Sequence, residues 1–399
     1  MEYRRLGKTG PEVSVIGLGT EYLNHQSRNT VVSVVREAVE RGVNYLDMVF
    51  AFAAYRDNLS AALQGIRDKV IIAGHICTAE TNGHYRLSRD VAENEALFHD
   101  LLARLHTDHV DVVFVQMVNS EEGYTEVTKP GGVLELAHRL RQQGKARFVG
   151  MSGHRPAAAL KAIRSGLVDV WMYPINLAWD LTPGRKEVQQ ACAETGVGLV
   201  AMKPFGGGRL FLPHRGGTPF APGGEDPTGE YLPPRGGTEY LQKEPRPITP
   251  TQALHYVLSQ PGVCTAVPGV KNLKQLQAAL RYADASAGEK DYAPILADFQ
   301  QDLEGNCVYC NHCMPCAAGI DIGRNIERLD LALASGDAGR KHLRERLNRY
   351  YPGRIRAARL EAESAPASDC IECGECVERC PFGVDVVAKM KKAAEMFEP

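Results

Sequence analysis

No stretch of this 399-residue chain approaches the run of about 18 apolar residues that a membrane-crossing helix needs. The opening MEYRRLGKTG lacks the apolar core of a signal peptide. The expected address is the cytoplasm, with no membrane partner. A charge excess is missing too: 46 Lys and Arg face 48 Asp and Glu, for a net −2. That balance supplies no basic surface for nucleic acid. An even scatter of cysteines is also absent. Eight of the 11 lie beyond residue 300, and without an export signal such crowding points to metal binding rather than a disulfide framework.

What is present begins with ordinary globular material, 44% hydrophobic and 24% charged. The length suits a barrel-sized domain plus a smaller one. Eight apolar runs read as strands: 13–20, 43–49, 70–76, 110–117, 147–153, 168–174, 197–204 and 265–270. Their nearly unbroken apolar character fits parallel strands buried on both faces. Helical patterns alternate with them: 29–42, ended by Gly42; 88–105, opened by Ser88 or Asp90; then GVLELAHRLRQQGK, RPAAALKAIRSG, GRKEVQQACAETG and TPTQALHYVLSQPG. Eight such repeats predict an α/β fold, a (β/α)₈ TIM barrel over residues 1–285. YRRLGKTGPEV reads as a hairpin closing the barrel floor. Residues 206–249, rich in Gly and Pro, follow the seventh strand, so they read as a lid over the active face or as a surface insertion. From 286 to 399 the chain turns helical, charged and cysteine-rich.

That tail carries CVYCNHCMPC, with Cys307, Cys310, Cys313 and Cys316, and CIECGECVERCP, with Cys370, Cys373, Cys376 and Cys380. Three cysteines at two-residue intervals set thiolates around a cubane, and a more remote fourth completes the neighbouring cluster. Two structural zinc sites are the alternative. The pattern resembles the two-cluster bacterial ferredoxin module, mainly helical here. The second motif matches it in full; the first has Cys316 one residue early and Ala317 in place of proline. The resemblance implies two [4Fe–4S] clusters with crossed ligation: Cys307, Cys310 and Cys313 with Cys380, and Cys370, Cys373 and Cys376 with Cys316.

The barrel resembles the aldo-keto reductase superfamily, in the branch that carries a C-terminal two-cluster domain. The likeness rests on RRLGKTGPEVSVIGLGT, NYLDM, DHVDVVFVQ, FVGMSGH, LVAMKPFGGGRL and AVPGVKNLKQLQAAL. The resemblance implies carbonyl reduction by NADPH, with a tyrosine proton donor, a lysine–aspartate pair and a carbonyl-orienting histidine. In GVNYLDMVFAFAAYRD (42–57) the aspartate falls on Asp47, at the end of a strand that an apolar loop is expected to follow. The tyrosine position is Phe52, the lysine position His75 and the histidine position Gln116. Asp47 and His75 are left as an acid–base dyad or a buried structural pair. Tyr55, Gln116 and His154 are candidate positioning groups, while histidines 84, 99, 106 and 109 read as ordinary surface or packing residues. Ser152, Lys203, Pro204, Phe205 and Gly206 fall where the family wraps nicotinamide and pyrophosphate, and Lys271 where a 2′-phosphate is neutralised. The carboxamide and adenine contacts, however, fall on Met172, Ala278 and Ala279. NADP(H) is therefore doubtful, and a flavin is an alternative two-electron carrier, although no flavin motif is visible.

The expected function is an iron–sulfur oxidoreductase that exchanges electrons between a small, polar organic substrate or bound redox cofactor and an external carrier such as ferredoxin or flavodoxin. Three alternatives stand beside it: an NADPH-dependent carbonyl reductase with a rebuilt tetrad, a non-catalytic electron-transfer subunit or scaffold, and a lyase or isomerase with structural clusters.

Overall fold

Hairpin β1 (Tyr3–Arg5) and β2 (Glu12–Ser14) pairs antiparallel, Tyr3 opposite Ser14, in this computed structural model. The structure describes residues 1–81, 84–177, 179–181, 184–206, 210, 248–295, 307, 313, 316–323, 325–326, 329, 333, 365–380 and 383–397. The Gly/Pro-rich segment read as a lid lies almost wholly outside them, as does Cys310.

The chain continues through β3 (Leu18–Gly19), β4 (Tyr45–Met48), β5 (Ile71–Ile76), a hairpin of β6 (Thr78–Thr81) and β7 (His84–Leu87), then β8 (Val110–Val115), β9 (Ala146–Ser152), β10 (Val170–Pro174), β11 (Gly198–Met202) and β12 (Val263–Val267). Eight of these form one parallel sheet in the order β12-β11-β10-β9-β8-β5-β4-β3. Parallel bridges Ile16–Ala266 and Gly19–Gly269 bring its first and last strands together. Gly17 N donates to Ala266 O at 2.8 Å and Ala266 N to Val15 O at 2.9 Å. The expected eightfold barrel is thus present, with one correction. The apolar run 13–20 is not one strand: Val13 and Ser14 belong to the floor hairpin, and only Leu18–Gly19 joins the barrel ladder.

Tyr45, Ala73, Val112, Phe114, Val170, Met172, Val200 and Cys264 fill the barrel, and Leu6 and Val13 of the floor hairpin pack beneath them. Gly7 makes that floor. Its φ is +55°, and a Cβ there would stand 2.4 Å from Gly198 N, so only glycine fits.

Outside lie α1 (Arg28–Glu40), α2 (Ala53–Leu63), α3 (Val91–Arg104), α4 (Glu121–Thr128), α5 (Val133–Gln142), α6 (Pro156–Arg164), α7 (Arg185–Thr195), α8 (Pro250–Leu258) and α9 (Leu273–Leu280). Asp90, not Ser88, caps α3, accepting from Glu93 N at 2.7 Å. The expected apolar loop after Asp47 is mostly helix. α2 begins straight after Phe52 and buries Tyr55, Leu59, Ala62 and Leu63 together with Arg56. Arg56 is 1% exposed. It donates to Phe50 O (3.2 Å), Leu97 O (2.7 Å) and Asp100 (2.9 Å), so a charge that reads as surface in sequence points inward.

Two compact units divide the chain: Met1–Phe205 with Thr249–Tyr292, and Gly206–Ile248 with Ala293–Pro399. In the second, helix Val386–Phe397 buries Val386, Met390 and Ala393, and Ile320 bridges Ala365. Among the described residues no helix is long and apolar enough to cross a membrane.

Candidate active site and cluster site

The ladder sets the site. Asp47 pairs with Ala73, His75 with Phe114, and Ser152 with Met172. Side chains alternate along a strand, so Asp47 and His75 point inward one step above the core residues Tyr45 and Ala73, and Ser152 stands beside Met172. They end β4, β5 and β9 on the carboxyl face, where barrel enzymes keep their chemistry. Three residues just past strand ends hold left-handed backbone without being glycine: Cys77 (φ 71°), Met117 (φ 60°) and Lys203 (φ 54°). Such strain collects where a rim is shaped for function. Gly153 serves the same rim; a Cβ there would come within 2.2 Å of Val118 O.

His75 Nε2 donates to Asp47 Oδ1 at 2.7 Å, and both residues are buried. The imidazole stacks on Phe114 at 5.0 Å with a 23° tilt. Its Nδ1 is buried without a hydrogen-bond partner among the described residues. Thr20 fixes Asp47 from behind: its hydroxyl donates to Asp47 O at 2.6 Å, and its amide to the same oxygen at 3.2 Å.

Tyr55 does not reach into the pocket as a proton donor. Its hydroxyl donates to Thr20 Oγ1 and accepts from Val49 N at 3.2 Å, and burial pushes its pKa well above the ordinary phenol value. It braces the Asp47 backbone. Gln116 Nε2 donates to Tyr85 Oη at 2.7 Å, while Gln116 Oε1 is buried and unpartnered among the described residues. Arg89 clamps the strand end, donating to Gln116 O at 2.8 Å and Met117 O at 2.9 Å.

The amide and both ring nitrogens of His154 are engaged. Its amide and Nδ1 both meet Asn119 Oδ1, at 2.8 and 3.3 Å. Its Nε2 accepts from Lys203 Nζ at 3.2 Å. Burial first, then Lys203, Arg185 and Arg155, lower its pKa to about 3. An unfolded histidine titrates near 6.5. Below that value the unfolded chain binds a proton that the fold refuses, so the stability present above pH 6.5 is lost as pH falls toward 3. Acidifying from pH 7.5 to 5 should cost about 1–2 kcal/mol through this group. His154→Gln should remove that share, read as denaturation midpoints at both pH values; identical pH dependence in both proteins would refute the assignment.

The remaining predicted contacts are dispersed. Ser152 Oγ accepts from Met117 N at 3.3 Å. Pro204 and Phe205 form the turn after β11, and Gly206 has φ +56°. Lys271 N donates to Gln275 Oε1 at 2.8 Å, and its ammonium lies 6.0 Å from the Tyr22 ring.

Two residues at the site escape a reading by motif. Glu21 follows Thr20. Its side chain keeps an exposed surface, yet desolvation raises its pKa, with Lys203 opposing and Asp47 adding to the rise. Tyr85 arrives on the β6–β7 hairpin, where Thr81 pairs with His84. The signal was there: Asn-Gly at 82–83 is the sequence pattern that favours a two-residue hairpin turn.

In the second unit, Cys316 meets Cys370, Cys373 and Cys376 around one recess of about 350 Å³, counting its open mouth. Ile320, Ile322, Val387 and Met390 make it apolar. Glu372 (φ 55°) and Gly374 (φ 78°) turn the backbone between the cysteines. Burial raises the Cys376 thiol, and Cys373 and Cys370 add to the rise. Thiolates are the donors a [4Fe–4S] cluster takes, and these four line one apolar recess, although among the described residues no three His, Cys, Asp or Glu stand together as a site for a single metal ion. Cys380 follows the short helix Glu375–Glu378; Cys307 and Cys313 are buried.

The aldo/keto reductase family model matches residues 15–297, and a 4Fe-4S dicluster domain matches 306–385. An uncharacterized oxidoreductase of Bacillus subtilis, YqkF, is 25% identical over 321 residues, 76% of this chain and 98% of that one. L-galactose dehydrogenase of Arabidopsis thaliana is 27% identical over 229 residues, 53% and 67% of the two chains. The holo structure of an aldo-keto reductase from Bacillus halodurans superposes with a TM-score of 0.57 at 21% identity, covering 75% of this chain and 96% of that one; at that identity it speaks for the fold alone. With the barrel and the family match in agreement, the chain is an oxidoreductase of the aldo/keto reductase family that carries a 4Fe–4S dicluster domain.

Proposed function

We propose that this oxidoreductase moves electrons between a small organic substrate and an external carrier of ferredoxin or flavodoxin type, with proton transfer at Asp47 and His75. The observation that carries this reading is the 2.7 Å Asp47–His75 pair beside a phenylalanine where the family places its phenol. A carboxylate on Nε2 fixes the tautomer and stabilises the imidazolium, which leaves Nδ1 to exchange a proton with a bound substrate.

The residues present do not fit a nicotinamide dinucleotide. Met172, where the resemblance places the carboxamide contact, is 2% exposed and packed into the barrel core. The adenine contacts fall on the methyl groups of Ala278 and Ala279 at the end of α9. No step is therefore assigned to that cofactor. The cysteines do suit clusters: Cys370, Cys373 and Cys376 with Cys316 would hold one, and Cys307, Cys310 and Cys313 with Cys380 the other. When bound, the clusters supply storage and relay of single electrons.

The test uses cluster-loaded full-length protein under anaerobic conditions. Reduced methyl viologen or ferredoxin should bleach the cluster absorbance, while calorimetry with NADPH should show no micromolar binding. Micromolar NADPH binding with bleaching would instead establish a carbonyl reductase with a rebuilt site.

A further inference from the structure

One cation on the carboxyl rim has no part in the proton-transfer pair. Lys203 is the first residue past β11, half-buried, with a left-handed backbone at φ 54°. Such a backbone is uncommon for a residue with a side chain and persists where its surroundings hold it. Asn176, fully buried, does so by donating from Nδ2 to Lys203 O at 3.2 Å. The side chain is set against His154, with Nζ 3.2 Å from Nε2. Nδ1 of that ring faces Asn119 Oδ1 at 3.3 Å and carries the hydrogen, so Nε2 only accepts.

The surroundings disfavour another positive charge. Arg185 Cζ and Lys203 Nζ face the same Trp179 ring, at 5.8 and 5.9 Å from its centre. Arg185 is 6% exposed, and its Nη1 donates to His154 O at 3.2 Å. Burial, together with Lys203, Arg185 and Arg155, keeps His154 unprotonated. The two arginines bear in the same way on an ammonium 3.2 Å from that ring. Two carboxyls oppose them, Glu21 toward Lys203 and Asp180 toward Arg185 at 3.6 Å. Burial raises the pKa of both, which weakens the opposition. A lysine beside another cation in a desolvated place is the arrangement that makes an amine nucleophilic. Glu21 also feels Asp47 and His75, so this amine and the proton-transfer pair share one rim.

We propose that Lys203 condenses with a small aldehyde or ketone at the barrel mouth to form an imine. Nζ attacks the carbonyl carbon, a C–N bond forms and the C–O bond breaks. The oxygen leaves as water with the two amine hydrogens, and no electrons are exchanged. His154 Nε2, held as an acceptor, takes one N–H of the amine and so orients its lone pair. The resemblance gives Lys203 to a pyrophosphate, but the residues do not fit a dinucleotide. This covalent role goes beyond the electron-transfer reading and uses none of its electrons.

The probe is propanal with sodium cyanoborohydride, which delivers hydride to the imine and locks it as a secondary amine. Full-length, cluster-loaded protein is labelled at pH 7 and mapped by peptide mass spectrometry. An ordinary lysine, with a pKa of about 10.4, is neutral in about one molecule in 2,500 at that pH, and each unit of lowering gives about tenfold more amine. Lys203 should therefore take label roughly tenfold faster than the exposed Lys274. Labelling repeated across pH should place the midpoint for Lys203 below that for Lys274. Equal rates or equal midpoints overturn the proposal. Labelling draws on neither cluster turnover nor a carrier. Failed bleaching by methyl viologen with Lys203 labelled therefore removes only the electron-transfer reading, and the reverse result removes only this one.

Discussion

Cys316→Ser and Cys373→Ser should each remove the same cluster. Wild-type protein should hold about eight iron atoms per chain, and each variant about four, if both clusters are of the [4Fe–4S] kind. The double variant Cys316→Ser/Cys373→Ser should hold no less iron than either single one. Cys316→Ser/Cys380→Ser should lose essentially all of it. The reason is the recess in the second unit, lined by Cys316 together with Cys370, Cys373 and Cys376. Arg379 lines it as well, but Cys380, the next residue, is not among the lining residues. A cysteine separated from its partners by residues 317–369 thus completes the set that starts at Cys370. Serine keeps the volume and removes the thiolate, so folding around the apolar wall of Ile320, Ile322 and Met390 should survive. Iron content and the low-temperature paramagnetic resonance of the reduced protein decide the matter. If Cys373→Ser and Cys380→Ser together remove one cluster only, the crossed arrangement is wrong.

How much of this was legible in the sequence depended on how local the cause was. The barrel strands announced themselves because burial on both faces makes β5 and β8 almost continuously apolar, interrupted only by His75 and Asp111. The short first strand did not, since Val13 and Ser14 look the same in sequence whether they pair with the floor hairpin or the barrel. Helix α2 was hidden by Arg56, whose guanidinium is satisfied by Phe50 nearby and by Leu97 and Asp100 from α3; no window around residue 56 reveals the last two, 41 and 44 positions away. Asp47 and His75 were legible as a pair because neighbouring parallel strands end side by side. His154 was legible as a rim residue and a candidate positioning group, but its partners Asn119 and Lys203 were not, because they lie 35 and 49 positions away. Tyr85 depends on a hairpin folding across the barrel mouth to a glutamine 31 positions away. Only the Asn-Gly turn pointed to it, and a turn signal says nothing about what the hairpin covers.

Asp47→Asn should lower turnover of a small organic substrate, driven by reduced methyl viologen, by about 10²- to 10⁴-fold, the usual span for loss of a general acid–base group. The amide can still accept from His75 Nε2 in the place where Oδ1 now stands at 2.7 Å, so the geometry and the Phe114 stacking should be kept. What vanishes is the negative charge that stabilises the imidazolium when Nδ1 takes a proton. His75→Gln should cost a similar factor. The variant Asp47→Asn/His75→Gln should be no slower than the worse single one, since the two groups act as a unit and such losses do not add. Thermal unfolding should change little in Asp47→Asn, because Thr20 bonds the backbone of Asp47 rather than its carboxylate. Asp47→Ala, by contrast, leaves a buried Nε2–H unpaired and should lower stability by about 1–3 kcal/mol. These two readouts separate chemistry from architecture. A slow but stable Asp47→Asn protein makes the pair a working acid–base dyad. Wild-type turnover in Asp47→Asn, with stability lost only in Asp47→Ala, would reduce the pair to a buried brace.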